Sequence, residues 1–484
     1  MEYLATIGIE VHAQLLTQSK MFCACPNAFG GEPNTRCCPI CMGLPGVLPV
    51  ANRQAIEYTM MTGLALGCSI SEESRFARKN YLYPDLPKGY QISQYESPIC
   101  ANGHLDIAVN GVTKRVRVAR VHLEEDTGKL FHTAAGTSLL DFNRCGVPLM
   151  EIVTMPDLNS AEEARAYLTA LRAILQYLGV SSGNMEEGAM RCEVNVSVAP
   201  VGAAQLGVKV EVKNLNSFRS VVQSLEYEIA RQVRCLEQGE PIVQETRRWD
   251  EERLVTVPMR SKESAHDYRY FPDPDLVPLR FDRQWIEAVR SRLPELPLAR
   301  RERLMEEHGL PEYDARVLTE TKALADYYEA CVRLHPEPKT VSNWVMGDLS
   351  GMLNERGLTI EQSPVSPEQL AELLSLVKQG AISGKIAKTV LRQMFASGRG
   401  ARDIVAEQGL TQISDESELG AVIERVLREN PEVVEKIRAG QSKAMAFLVG
   451  QVMKATKGRA APGRVNEMLQ EALARGAGGQ EPSG

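Results

Sequence analysis

The sequence predicts an α+β protein in three parts: a strand-rich first domain over residues 1–292, an all-helical domain over 293–400 and a small helical tail domain over 401–484. Three observations predict it. Apolar and polar residues alternate with a period of two in several segments before residue 292, the spacing of a half-buried strand. Leu293-Pro294-Glu295-Leu296-Pro297 then interrupts the chain, and beyond it helical spacing replaces alternation. The length, 484 residues at roughly 150 per domain, suggests about three domains.

The elements follow in order. Ile7 to His12 reads as a strand with Ile7, Ile9 and Val11 on one face and Glu10 and His12 on the other. Leu105 to Val109, Asn110-Gly111 and Val112 to Val118 form a hairpin signal, since Asn-Gly accepts the positive φ of a tight turn. In Val116 to Asp126 the alternation slips near Ala119, so a bulge is expected, and which of Glu124, Glu125 and Asp126 faces inward stays open. Leu149 to Val153 is apolar except for Glu151, and a lone carboxylate in such a run needs a partner or a metal. Ser160 with Glu163 has the form of a capping box ahead of Ala164, Leu168, Leu171, Leu175 and Leu178, a run that Gly179 ends. Arg191 to Val198 and Val208 to Lys213 alternate again, and as a hairpin they would put Glu193 and Glu211 on one face. Ser366-Pro367-Glu368-Gln369 starts a helix that Gly380 closes, and a second runs from Gly384 to Ala396. Gly476 to Gly484 reads as a frayed end.

Composition narrows the class. Hydrophobic residues make up 44% and charged residues 24%, ordinary for a globular chain and unlike a disordered one. The formal charge of −7, from 55 basic and 62 acidic side chains, argues against a surface coated all round for nucleic acid but leaves room for a local basic patch. With no long apolar run and no export signal, a cytoplasmic location is expected. Eleven cysteines in such a chain are not read as a disulfide framework.

Four cysteines fall in two close pairs, Cys23-Ala24-Cys25 and Cys38-Pro39-Ile40-Cys41. Four thiolates so placed can surround a structural zinc ion, with no position open for substrate. Cys37 could compete with Cys38, and the remaining six are read as small core residues. Glu10, His12, Glu151, Glu193 and Glu211 put carboxylates and one histidine on several strand faces, a donor set that suits Mg²⁺ and phosphoryl transfer. A solvated outer sheet face would show a similar alternation. Two basic stretches are interleaved with aromatics: Arg75 to Tyr95, with Lys79, Tyr81 and Tyr83, and His266 to Pro272, with Arg269. Such stretches hold phosphates and stack unpaired bases. From Lys436 to Arg464 seven basic residues, among them Lys443, Lys454 and Lys457, are interrupted by no acid, which favours a polyanion.

Several longer motifs carry a resemblance. They include Ile7-Gly8-Ile9-Glu10-Val11-His12, Lys20-Met21-Phe22-Cys23, Gly43-Leu44-Pro45-Gly46-Val47-Leu48-Pro49-Val50 and Arg78-Lys79-Asn80-Tyr81. His122-Leu123-Glu124-Glu125-Asp126, Met185-Glu186-Glu187-Gly188 and Lys213-Asn214-Leu215-Asn216-Ser217-Phe218 follow. Asp267-Tyr268-Arg269-Tyr270-Phe271-Pro272 and Lys443-Ala444-Met445-Ala446-Phe447-Leu448-Val449-Gly450-Gln451 complete the set. In order over nearly the whole chain, these resemble the B subunits of the bacterial and organellar tRNA-dependent amidotransferase. The resemblance implies a cradle-shaped first domain and a tail that contacts the tRNA elbow. It implies a heterotrimer with a glutaminase A subunit and a small C subunit. The complex would act on mischarged Glu-tRNA(Gln) or Asp-tRNA(Asn), phosphorylating the side-chain carboxylate with ATP and Mg²⁺ and amidating it with ammonia from the A subunit. Glu10, His12 and Glu125 match the family's metal motif; Glu151 and Glu211 are weaker matches. At Glu193 the family usually has Asp, and Cys37 is a departure beside the zinc-bearing positions of Cys23, Cys25, Cys38 and Cys41. The competing expectation is a non-catalytic, zinc-containing tRNA-binding protein: the basic tail and the cysteine cluster support both readings, and only the carboxylate-rich strand faces support catalysis.

Overall fold

The computed structural model describes residues 2–133, 136–261, 268–410, 416–438, 444–456 and 459–475. The chain divides into two compact units, Met1–Pro297 and Leu298–Gly484.

The first unit is built on a nine-stranded sheet. Its strands are β1 (Tyr3–Gln14), β2 (Ser69–Ile70), β3 (Cys100–Val109), β4 (Val112–Glu125), β5 (Pro148–Thr154), β6 (Met190–Pro200), β7 (Val210–Leu215), β8 (Glu245–Asp250) and β9 (Val255–Ser261). They lie in the order β9-β8-β7-β6-β1-β5-β4-β3-β2, antiparallel except for the parallel pair β7 and β8. The β3–β4 hairpin turns at Asn110 and Gly111 with φ of 52° and 77°, the left-handed pair that the Asn-Gly signal predicts.

One face of the sheet is apolar. Ile7, Ile9 and Val11 of β1, Met150 and Ile152 of β5 and Val194 and Val196 of β6 are all buried there. Helices α1 (Arg53–Ala65), α2 (Ala161–Tyr177) and α3 (Phe218–Gln238) belong to this unit. The apolar stripe of α2, from Ala164 through Leu168 and Leu171 to Leu175, joins the same core. Ser160 caps α2 by accepting from the Glu163 amide. The capping box is not reciprocal, because the Glu163 carboxylate accepts from the Asn159 amide and Lys114 instead. Glu228, fully buried on α3, accepts hydrogen bonds from Arg231, Gln232 and Thr256, which ties the helix to β9.

β4 holds the expected bulge. Val153 pairs with Arg120 and Thr154 with Val118, so Ala119 is an extra residue on β4. Before it, even-numbered Val116 and Val118 face the core; after it, odd-numbered Val121 and Leu123 do. The extra residue therefore turns Arg120, His122 and Glu124 onto the polar face, a common use of bulges beside functional sites.

The second unit is helical, and its described residues form two cores. One includes Leu304, Tyr328, Leu370, Leu391 and Phe395, and also Ala401, Ile404 and Val405 of the helix Ala401–Glu407. The other gathers Leu419, Ile423, Leu448, Val452, Val465 and Leu469 from the helices Glu416–Glu429, Met445–Ala455 and Pro462–Arg475. Helices Pro367–Lys378 and Gly384–Ser397 start where the sequence predicts, the first with a reciprocal Ser366–Gln369 capping box. Among the described residues no helix is long and apolar enough to cross a membrane.

Candidate active site and metal centre

The polar face of the sheet can be read as rows across the strands. Arg191 of β6 lies opposite His12 of β1, His12 opposite Glu151 of β5, and Glu151 opposite His122 of β4. The neighbouring row runs Glu193, Glu10, Val153, Arg120. Register across four strands thus gathers residues that lie far apart in sequence, and two acidic clusters result.

In the first cluster, His12 Nε2 lies 3.4 Å from Glu124 and 3.5 Å from Glu151. His122 Nε2 lies 3.2 Å from the same Glu151 oxygen. Burial opposes a charge on His12, but Glu151 and Glu124 outweigh it and raise its pKa to about 10. Burial also opposes ionisation of Glu151, yet His122 and His12 hold it well below the usual carboxylate range. Glu124 is lowered in the same way, its burial overcome first by the hydrogen bond from His12. The ligand atoms of His12, Glu124 and Glu151 lie within 4.8 Å of one another, so one cation could replace the His12 proton and bind all three.

The second cluster is Glu10, Glu193 and Glu211, whose carboxylate oxygens also lie within 4.8 Å of one another. Asn195 Nδ2 donates to Glu10 at 2.8 Å, and Thr246 Oγ1 donates to Glu211 at 2.7 Å. Lys213 Nζ is 2.7 Å from Glu193 and 4.0 Å from Glu211. Three carboxylates around one lysine leave an excess of negative charge, which favours a hard cation with oxygen ligands.

A short ribbon brings Lys79 close to the first cluster. Strand Ala77–Asn80 pairs with Tyr90–Ser93 and with Phe271–Pro272. Lys79 Nζ lies 4.9 Å from the Tyr268 ring centroid and 5.9 Å from that of Tyr81, while Tyr270 stacks on Tyr95 at 4.3 Å. Burial disfavours the Lys79 charge, but Glu124 more than compensates and its pKa is raised.

The four paired cysteines converge on Cys41. Its Sγ is 3.5 Å from Cys23, 3.8 Å from Cys38 and 3.9 Å from Cys25. Disulfides would need about 2.05 Å, so the thiols are free. Four sulfurs at metal–sulfur distances of about 2.3 Å in a tetrahedron would be spaced about 3.8 Å apart, close to what is observed. Buried Lys20 donates to Cys41 at 3.6 Å and so offsets thiolate charge. Cys37 points elsewhere, donating to the Asn34 carbonyl at 3.3 Å.

Sequence comparison gives the family. A family model described as the GatB/GatE catalytic domain matches residues 5–287, and a GatB domain model matches residues 326–473. The chain belongs to the GatB/GatE family. The B subunit of an aspartyl/glutamyl-tRNA(Asn/Gln) amidotransferase from Moorella thermoacetica is 59% identical over 476 residues, covering 98% of this chain and all of that protein. The proteins of the same name from Thermodesulfovibrio yellowstonii and Thermoanaerobacter pseudethanolicus are 55% and 54% identical, each over 98% of this chain and all of its own length.

Within this GatB/GatE chain, the residues expected from sequence are placed as follows. His12, Glu151, Glu10, Glu193 and Glu211 come together on the polar face. Glu125 does not join them, because next to Glu124 on a strand it faces the other way. Its carboxylate pairs with Lys88 and accepts from the Ile92 amide at 3.0 Å. Glu124 occupies the place beside His12 that was expected of Glu125. The missed signal was the apolar pair Val121 and Leu123, which puts His122 and Glu124 together on the opposite face. Tyr83, Arg269 and Lys454 are exposed. Lys443, Lys457 and His266 lie outside the described residues.

Proposed function

We propose that this chain is the tRNA-binding, ATP-using B subunit of an aspartyl/glutamyl-tRNA amidotransferase, working in the cytoplasm with a glutaminase A subunit and a small C subunit. The observation that carries the reading is the pair of acidic clusters on one polar sheet face beside Lys79. Relatives that match this chain end to end carry the amidotransferase name.

A side-chain carboxylate on tRNA resists ammonia because oxide is a poor leaving group. Attack of that carboxylate on the γ-phosphorus of ATP releases ADP and leaves an acyl phosphate. Ammonia from the partner then adds to the acyl carbon, and inorganic phosphate departs with the C–O electron pair. Lys79, held among tyrosines, offers a cation for the incoming carboxylate. Mg²⁺ ions held by His12, Glu124 and Glu151 and by Glu10, Glu193 and Glu211 would supply charge neutralisation at the phosphates. Asn195, Thr246 and Lys213 orient the second set of carboxylates. Cys23, Cys25, Cys38 and Cys41 would hold a structural zinc ion, whose four positions the protein fills. The exposed basic residues of the tail, Lys454 among them, suit the tRNA backbone.

The test is the complex reconstituted with its glutaminase partner. Glu151→Gln should keep glutamine hydrolysis and lose ATP-dependent amidation of mischarged tRNA by about a thousandfold, the scale of losing a transition-state charge contact. Undiminished amidation would refute the assignment and leave a non-catalytic tRNA-binding role.

A further inference from the structure

Arg120 is the first residue after the β4 bulge, and the bulge turns it to the polar face. The other cations that the nine-stranded sheet itself puts nearby on that face are already committed. Arg191 pairs with Asp126 at 3.0 Å and Lys213 with Glu193 at 2.7 Å. Earlier on β4, Arg115 holds Asp106 through two bonds of 2.8 Å, and Arg117 holds Asp157 at 2.6 and 2.9 Å. Arg120 is the exception. Among the described residues its Nε is buried with no hydrogen-bond partner. Its row accounts for the lack of a side-chain partner: its cross-strand neighbours are Val153 on β5 and Ala101 on β3, whose side chains have no acceptor.

A buried guanidinium N–H without a partner is costly in the free protein and calls for an explanation. Position supplies one. Glu10 of the second cluster lies two strands from Arg120 in the same row, about 10 Å by ordinary sheet spacing, with only Val153 between them. His122, two residues on, binds Glu151 of the first cluster. A planar fork in the row of Glu10 and two residues from His122 matches a phosphate, which takes bidentate hydrogen bonds and would bridge cations held by the two clusters.

We propose that Arg120 is a further catalytic residue that binds the phosphoryl group passed from ATP to the tRNA-borne carboxylate. This rests on the amidotransferase reading above. The guanidinium donates hydrogen bonds to phosphoryl oxygens and takes no proton or electron. It meets the charge that spreads over those oxygens as the bond to ADP breaks and the bond to the carboxylate forms. The same fork could grip a phosphodiester of the tRNA 3′ end, and the experiment separates the two sources.

Arg120→Met and Arg120→Lys are made in the full chain and assembled with the glutaminase and small subunits. Binding of ATP, of AMP and of uncharged tRNA is measured by calorimetry with Mg²⁺ present, alongside melting of the ligand-free protein. The proposal expects about tenfold or greater loss of ATP affinity in Arg120→Met, AMP and tRNA affinities within about twofold, and amidation down by about a hundredfold with glutamine hydrolysis intact. Arg120→Lys, which keeps the charge but not the fork, should recover part of the loss. Ligand-free Arg120→Met should melt no lower than wild type, because no protein bond is lost. Unchanged ATP affinity, a loss confined to tRNA affinity, or failure of either variant to fold would overturn the proposal. A wild-type complex that binds ATP but forms no amidated tRNA would instead refute the amidotransferase reading.

Discussion

The cysteine centre and the carboxylate face are both four-or-more-residue sites, yet they are specified in opposite ways. Cys23, Cys25, Cys38 and Cys41 lie within 19 residues, and one loop brings their sulfurs to within 3.5 to 3.9 Å of Cys41. The carboxylate face takes one or two residues from each of five strands, and its members meet only because the registers hold. A loop site depends on local spacing. A sheet site depends on long-range pairing and on a single inserted residue, Ala119.

The largest effect should come from breaking the loop site at its centre. If the four thiolates hold the proposed zinc ion, Cys41→Ser should abolish stoichiometric metal content, measured by atomic emission, and lower the melting temperature by more than about 10 °C, since the binding free energy of a structural metal is folding free energy. Intact metal content would show that Cys41 is not the hub.

A smaller effect is expected from Asp126, which holds the end of the carboxylate face together. It accepts from Gln14 of β1 at 2.8 Å and from Arg191 of β6 at 3.0 Å. Burial would raise its pKa, but Arg191 and Arg144 lower it below the ordinary value of 3.8. A depressed acid adds stability that is fully present above its unfolded pKa and is lost as pH falls through the folded one. Asp126→Asn should therefore cost about 2 kcal/mol at neutral pH, the scale of charge-assisted bonds, and flatten the loss of stability below about pH 4. Denaturant melts at pH 7 and pH 3 check this, and parallel acid limbs would refute it.

The smallest effect should come from the groups that orient the ligands. Thr246→Val leaves Glu211 in place but removes its 2.7 Å donor. Affinity for Mn²⁺ should fall by about tenfold with the melting temperature nearly unchanged, as is usual for a hydrogen bond to a metal ligand. No change in Mn²⁺ affinity would mean that Glu211 is not a ligand.

The same contrast governs what could be read from sequence. Cysteine spacing is local, so the sulfur cluster was legible and only Cys37 was ambiguous. Strand alternation made Glu10, His12, Glu151, Glu193 and Glu211 legible as candidates, and Asn110-Gly111 fixed the hairpin. The choice between Glu124 and Glu125 was not legible in the same way, because it turns on where the extra residue of β4 sits. The metal motif expected Glu125; the bulge at Ala119 delivers Glu124 and sends Glu125 to Lys88. Nor could alternation alone reveal the orphaned Arg120, since its want of a partner follows from the neutral neighbours that register gives it.

The first cluster depends most directly on the bulge having selected Glu124. Titration of Mn²⁺ into Glu124→Gln, Glu125→Gln and the wild-type chain, followed by electron paramagnetic resonance, tests that selection. The prediction is at least about tenfold weaker binding at one site in Glu124→Gln, and affinities within about twofold of wild type in Glu125→Gln. The opposite pattern, with Glu125→Gln losing the ion and Glu124→Gln keeping it, would contradict the account.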